Sequence, residues 1–310
     1  MERKKVTIRQ VTKRTGDAPR LTMITAYDYN SACFADRAGV DMILVGDSLG
    51  PFMLGYPGTV PVTMEEMLHH CRAVSRARPA ALVVGDMPFG SYQADVSSAV
   101  ANAVRLIKEA GCTAVKLEGG AERSATIAAI VAAGIPVMGH VGLEPQSEHL
   151  TGGYRVQGRT AAAAEQLVRD AQAVAAAGCF AMVVEAVPRK IAAEITRRVP
   201  VATIGIGAGA ACDGQVLVYH EVIGMHTGAA PRYVKQYADV GAQIHDALAR
   251  YCAEVRGGQF PGREHSYLME RAELSAFHVR LQEAEVDQCG SAPGTGVPEP
   301  PGVPISGTGD

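Results

Sequence analysis

The sequence predicts an α/β protein with the (β/α)₈ (TIM) barrel fold. Eight short apolar runs rich in Val, Ile and Leu recur along the chain, and several are nearly continuous rather than alternating, which is typical of parallel strands covered on both faces. Helix-length segments separate most of these runs. A closed barrel needs about 250 residues, and residues 20–255 supply that length. An open doubly wound sheet is the alternative, but no G-x-G-x-x-G follows the first run.

The strands and helices follow in a regular order. The eight runs are LTMITAYD (21–28), DMILVGDS (41–48), AALVVGDMP (80–88), CTAVKLEGG (112–120), IPVMGHVGL (135–143), CFAMVVEAVP (179–188), VPVATIGIGAG (199–209) and GQVLVYHEVIG (214–224). Residues 96–111 and 161–178 are rich in alanine, have apolar residues at helical spacing and end at glycine, so they predict helices.

The composition changes near the C-terminus. We predict a single barrel domain over residues 1–265, a charged extension that could be helical over residues 266–289, and a disordered tail over residues 290–310. The tail is rich in Pro and Gly and has almost no apolar residues with which to form a core.

Charge and cysteine content exclude several classes of protein. The net charge of −3 gives no basic surface for nucleic acid. No apolar run reaches the roughly 20 residues needed to cross a bilayer. The seven cysteines are scattered and form no CxxC pair, which favours a reducing, cytoplasmic location and argues against a zinc site.

Acidic residues recur where the predicted strands end: Asp28, Asp47, Asp86, Glu118 and Glu185. The carboxyl ends of the strands form the reactive face of such a barrel. Carboxylates gathered there repel one another unless a cation lies among them, and oxygen ligands favour Mg²⁺. Glycines beside Asp47 and Asp86 are expected to let a ligand approach the backbone. A single strand-end Asp is more often a helix N-cap, so both interpretations stay open.

Long motifs carry a resemblance to a known family. They include TAYDY (25–29), VGDSLG (45–50), VKLEGG (115–120), GHVGLEPQS (139–147), GGYRVQGR (152–159), VEAVP (184–188) and IGIGAG (204–209). Over residues 5–267 the chain resembles the ketopantoate (3-methyl-2-oxobutanoate) hydroxymethyltransferase family. The resemblance implies a (β/α)₈ barrel that uses Mg²⁺, takes 5,10-methylenetetrahydrofolate as co-substrate and assembles as a homo-oligomer, a decamer. It implies conversion of 3-methyl-2-oxobutanoate to 2-dehydropantoate in pantothenate and coenzyme A biosynthesis, through a Mg-stabilised enolate.

The resemblance also assigns metal and substrate residues. Asp47, Asp86 and Glu118 match the family's metal-site acids. Ser48 and Lys116 match positions that hold the keto acid, together with the ligands Asp47 and Asp86. For Lys116, the alternative is a structural ion pair with Glu118 or another acid.

Two further positions complete the predicted site. Glu185 matches the proposed catalytic base, and His140 is expected to be a supporting contact. The chain departs from the family in GYPGTVPVT (55–63), which lacks an Asp-Ser pair common in this loop. Two alternative functions are another Mg²⁺-dependent keto-acid enzyme of the phosphoenolpyruvate mutase/isocitrate lyase type, and a catalytically inactive barrel kept for assembly or binding.

Overall fold

The computed structural model of the chain describes residues 3–12, 19–226, 228 and 230–290. These residues form two compact units, one within Met1–Ile244 and one within His245–Asp310. The predicted domain boundary at residue 265 stays a prediction. From residue 291 onward, the tail predicted to be disordered lies outside the described residues.

The first unit contains a closed barrel of eight parallel strands in sequence order, in which the eighth strand pairs with the first. The strands are β1 (Leu21–Thr25), β2 (Met42–Val45), β3 (Leu82–Asp86), β4 (Ala114–Lys116), β5 (Val137–Gly142), β6 (Ala181–Glu185), β7 (Ala202–Ile206) and β8 (Gly214–Leu217). Each predicted run contains one of these strands. The predicted (β/α)₈ fold is therefore confirmed.

Helices connect the strands and continue beyond them. The α-helices are α1 (Ile8–Thr12), α2 (Tyr29–Ala38), α3 (Met64–Arg76), α4 (Val96–Lys108), α5 (Ser124–Ala132), α6 (Glu148–Thr151), α7 (Ala161–Ala176), α8 (Arg189–Arg198), α9 (Tyr219–Val222), α10 (Val240–Arg256) and α11 (Arg271–Gly290). Helices α4 and α7 lie within the two segments predicted to be helical. In the described part of the chain, no helix is long and apolar enough to cross a membrane.

The first strand-end acid serves a helix rather than a cavity. Asp28 is the N-cap of α2, and its carboxylate accepts a hydrogen bond from the Ser31 N–H at 2.9 Å. The Ser31 hydroxyl oxygen in turn accepts from the Asp28 N–H at 3.2 Å, which completes a capping box. At the other end, Gly39 stops the helix in the left-handed conformation, with φ of 88°. The N-cap interpretation therefore holds for Asp28.

The strands separate two apolar layers. Inside the barrel pack Met23, Met42, Leu44, Leu82, Val84, Met138, Val183, Ile204 and Val216. The alternate strand residues, such as Val83, Val115 and Val184, pack outward with helix residues such as Leu106 and Ile127. Because side chains alternate along a strand, a residue two positions beyond an inner residue also points inward.

Candidate active site

Four strands carry polar residues at or near their carboxyl ends, and these residues continue the inner layer. Asp86, Lys116, His140 and Glu185 each lie two positions beyond a residue of the inner core. Asp86 and Lys116 are also direct partners in the register of β3 and β4. All four line a cavity of about 520 Å³, together with Asp47, Ser48 and Glu118. The structure therefore brings every site residue predicted from the sequence to one cavity.

Lys116 lies in ion pairs with Asp86 at the end of β3 and with Glu118 just after β4. Its Nζ is 2.8 Å from Asp86 Oδ1 and 3.8 Å from Glu118 Oε1, and all three side chains are at most 4% exposed. Burial opposes the charge on Lys116, but the charges of Asp86 and Glu118 outweigh it and raise the pKa of Lys116. Lys116 is therefore a fixed positive charge at the base of the cavity.

Asp47 and Asp86 are neighbouring buried acids, joined through the backbone of Asp47. The Asp47 N–H donates to Asp86 Oδ2 at 3.3 Å. Burial, followed by the charges of Asp86 and Glu118, holds the pKa of Asp47 well above its usual range. Burial also raises the pKa of Asp86, although Lys116 opposes the rise. When both groups are ionised, their neighbours therefore compensate the negative charge incompletely.

His140 joins the two remaining carboxylates. Its Nδ1 is 3.4 Å from Glu118 Oε1, and its Nε2 is 3.2 Å from Glu185 Oε2. Burial and the charge of Lys116, whose Nζ lies 3.4 Å from His140 Nδ1, lower the pKa of His140, but the carboxylates of Glu118 and Glu185 outweigh them and raise it to about 9. The raised pKa favours the protonated imidazole at neutral pH, and the contact at Nε2 orients Glu185.

Glu185 faces the cavity, and the residue after it has a strained backbone conformation. Its side chain is 14% exposed, more than the other carboxylates here. The next residue, Ala186, has a φ of 49°, which residues other than glycine rarely adopt. The Ala186 N–H donates to the Ile206 carbonyl at 2.8 Å, and its carbonyl accepts from the Gln157 N–H at 2.9 Å. These two hydrogen bonds, to Ile206 and Gln157, hold Ala186 in this conformation.

Gln146 belongs to the site but was not identified from the sequence. Its Nε2 donates to Asp47 Oδ2 at 2.8 Å and to the Met87 carbonyl at 2.9 Å, while its Oε1 accepts from the Tyr92 hydroxyl at 2.7 Å. A flipped amide would turn its oxygen toward two acceptors, so the orientation is fixed. The Gln146 N–H also donates to Glu118 Oε2 at 3.1 Å. The available signal was its position in GHVGLEPQS, just after β5.

The expectation that glycine lets a ligand approach the backbone beside the acid is wrong for Gly85. A Cβ at this position would lie 2.8 Å from Cys112 Sγ and 3.3 Å from Cys71 Sγ, and both cysteines belong to the outer core. Glycine is therefore required by packing against the helices and not by a ligand. A Cβ at Gly46 would instead meet Ser48 Oγ at 2.9 Å, and Ser48 also contacts the Tyr27 hydroxyl at 2.8 Å.

Two loops frame the cavity. Pro57, Gly58 and Thr59, from the loop that departs from the family pattern, line it. A Cβ at Gly58 would lie 2.8 Å from Glu148 Oε1, so the small residue accommodates α6. From the GGYRVQGR segment, Tyr154 and Arg155 line the same cavity.

The charges of the site fit a divalent cation. The predicted site residues include four carboxylates and two basic groups, namely Asp47, Asp86, Glu118, Glu185, Lys116 and His140. The cavity is also lined by Glu221 and Arg155, whose formal charges cancel. With His140 protonated, the formal excess is two negative charges. Within the described ranges, no group of three His, Cys, Asp or Glu residues has the arrangement of a metal site. Mg²⁺, however, commonly binds through one or two carboxylates, with water and substrate as further ligands. Asp47 and Asp86 meet that requirement.

Fold and cavity define a barrel enzyme whose carboxyl-end pocket combines paired acids with a buried lysine and histidine. A family model described as ketopantoate hydroxymethyltransferase matches residues 5–263. The 3-methyl-2-oxobutanoate hydroxymethyltransferase of Moorella thermoacetica is 57% identical over 86% of this chain and 99% of its own length. That of Carboxydothermus hydrogenoformans is 53% identical, covering 86% of this chain and 96% of its own. The chain belongs to the ketopantoate hydroxymethyltransferase family, as its motifs predicted.

Solved structures share the fold at low sequence identity. A phosphonopyruvate hydrolase superposes with a TM-score of 0.54 at 17% identity, covering 93% of this chain and 98% of its own. A phosphoenolpyruvate phosphomutase from Streptomyces platensis subsp. rosaceus has a TM-score of 0.53 at 20% identity, covering 90% and 97%. At these identities the likeness shows the barrel architecture alone.

Proposed function

We propose that this protein transfers a hydroxymethyl group from 5,10-methylenetetrahydrofolate to 3-methyl-2-oxobutanoate, giving 2-dehydropantoate for pantothenate and coenzyme A biosynthesis. The observation that carries the proposal is the buried Asp47–Asp86 pair beside Lys116, with Glu185 facing the same cavity. The names of the relatives support the substrate and the reaction.

The reaction needs a proton removed from the carbon beside a ketone, with stabilisation of the charge that develops on the keto oxygen. Asp47 and Asp86 would hold Mg²⁺. Glu118 stays a predicted third ligand; in this structure its oxygens contact His140 and the Gln146 N–H. When bound, Mg²⁺ would supply a Lewis acid beside the substrate oxygens. Lys116 adds a fixed positive charge on the same side.

Glu185 is the proposed base. Its carboxylate would accept the proton from C3 of 3-methyl-2-oxobutanoate, and that carbon would then form a C–C bond with the one-carbon unit of the folate. The two C–N bonds that hold the one-carbon unit would break, and water would supply its hydroxyl group. Tetrahydrofolate would leave with the proton from C3 and one proton from water on its nitrogens. His140 orients that carboxylate through the 3.2 Å contact at Nε2. Ser48, which contacts the Tyr27 hydroxyl and lines the cavity, would donate a hydrogen bond to the keto acid.

Deuterium exchange at C3 tests the role of Glu185 without folate. Glu185→Gln should bind Mg²⁺ and the keto acid as the wild type does, while exchange at C3 slows by about 10²–10⁴-fold, the usual contribution of a general base. Glu144→Gln is the control, because Glu144 lies outside this cavity. Unchanged exchange in Glu185→Gln would remove Glu185 from the role.

Product formation with and without folate and Mg²⁺ tests the reaction as a whole. A keto-acid enzyme of the phosphoenolpyruvate mutase/isocitrate lyase type would need the metal but no folate, and an inactive barrel would show no Mg²⁺-dependent C3 exchange. The decamer and the cytoplasmic location are further parts of this proposal. Light scattering and cell fractionation would test them.

A further inference from the structure

Glu221 is a buried carboxylate that the proposed chemistry does not use. It lies in α9, is 5% exposed and lines the same cavity as Asp47 and Glu185. Within residues 3–12, 19–226, 228 and 230–290, its carboxylate makes no hydrogen bond or ion pair. Burial raises the pKa of Glu221, and the charge of His226 opposes the rise. Burying a charged or polar group without a partner is costly. A group kept in this state at a cavity wall points to a ligand that supplies the missing donors.

The helix that carries Glu221 is anchored by other residues. The neighbouring His220 ring stacks against Tyr27 and Phe52, with ring centroids 5.6 Å and 5.8 Å apart. The Tyr219 N–H donates to Thr25 Oγ1 at 3.0 Å. Because these contacts fix α9 to the end of β1, the Glu221 carboxylate is not needed to hold the helix.

The cavity that Glu221 lines also has surfaces that suit a flat ring. Phe52, Val218, Pro231 and Tyr233 line it and present apolar or aromatic side chains. Burial raises the pKa of the Tyr233 phenol, and the charges of Glu185 and Glu221 raise it further, so Tyr233 lies within the influence of both carboxylates. A carboxylate accepts two parallel N–H hydrogen bonds from a planar group with adjacent donors.

We propose that Glu221 binds the N3–H and 2-amino edge of the pterin ring of the reduced folate. That edge presents two adjacent N–H donors on a flat ring, which match the two carboxylate oxygens and the aromatic wall. The inference rests on the proposed function, because it assigns the co-substrate to one side of the cavity. The keto acid would occupy the opposite side, next to Asp86 and Lys116. A volume of about 520 Å³ lies within the usual range for small-molecule sites.

Steady-state kinetics of Glu221→Gln tests the assignment. The amide keeps the shape but presents only one acceptor to two donors, so KM for 5,10-methylenetetrahydrofolate should rise at least tenfold. KM for 3-methyl-2-oxobutanoate should change by less than threefold. Glu221→Asp keeps the carboxylate and should recover part of the folate affinity. Glu144→Gln, a partly buried acid lining a different cavity, should leave both constants unchanged.

Binding of 6-methyltetrahydropterin by calorimetry separates this inference from the proposed function. The wild type should bind it, and Glu221→Gln should bind it at least tenfold more weakly. Equal affinity in both proteins overturns the role of Glu221, as does an equal rise in both Michaelis constants. If the wild type forms no folate-dependent product yet binds the pterin through Glu221, the proposed reaction fails and the pterin site stands.

Discussion

Replacing Gln146 by Met removes the side chain that connects the acid pair to the rest of the site. Met has a similar length and volume but cannot replace the amide hydrogen bonds. Asp47 Oδ2 and the Met87 carbonyl each lose a buried donor, and the Tyr92 hydroxyl loses its acceptor. Each such loss costs about 1–3 kcal/mol, so the three together should lower the free energy of unfolding by at least about 3 kcal/mol.

The same substitution should weaken metal binding. Nε2 of Gln146 holds Asp47 Oδ2 at 2.8 Å and so sets the direction of the other carboxylate oxygen. Loss of a hydrogen-bond partner of a metal ligand typically weakens metal affinity about 10–100-fold, and we expect that range for Mg²⁺. Calorimetry measures the affinity. Circular dichroism in urea measures stability, because the chain has no Trp to report by fluorescence.

Gln166→Met is the matched control. Gln166 is exposed on α7, where its amide contacts Asp170 and Arg169, so stability should change by less than about 0.5 kcal/mol. If Gln146→Met binds Mg²⁺ as tightly as the wild type and Gln166→Met do, Gln146 does not orient the acid pair.

Three more outcomes follow from the structure. Lys116→Met leaves Asp86 buried without its cation, and urea unfolding of the metal-free protein should show a loss of about 3–5 kcal/mol; an unchanged midpoint would contradict the ion pair. In the metal-free protein, the pKa of His140 is about 9 in the folded state and about 6.5 in the unfolded state. Protonated His140 therefore contributes its full stabilisation below about pH 6.5, and this contribution is lost as pH rises through about 9. The stability difference between wild type and His140→Gln should therefore shrink between pH 6 and pH 10, and a constant difference would refute the protonated state. Asp28→Ala should cost about 1 kcal/mol through loss of the N-cap while C3 exchange continues at the wild-type rate, and slowed exchange would place Asp28 in the site.

Much of the site could be predicted because strand-end residues of a barrel share one rim. Asp86, Lys116 and Glu185 follow apolar strands in the sequence, and parallel pairing alone brings them together. Asp28 has the same local pattern but caps a helix. Its different role depends on the conformation after the strand, which the strand pattern does not specify.

Other features depend on contacts between distant parts of the chain. Gln146 and Asp47 are 99 positions apart, and nothing near either residue indicates their hydrogen bond. The partners of His140 and the position of Glu221 on the cavity wall likewise appear only when the barrel closes.

The sequence by itself determined the eight strands, the barrel and the identity of the acids at its mouth, because hydrophobic periodicity and strand ends are local properties. The tertiary structure alone decided which charges are paired, which side chains orient them and which carboxylate is left facing the cavity. The reason is that hydrogen bonding and desolvation act between groups that are close in space, however far apart they lie along the chain.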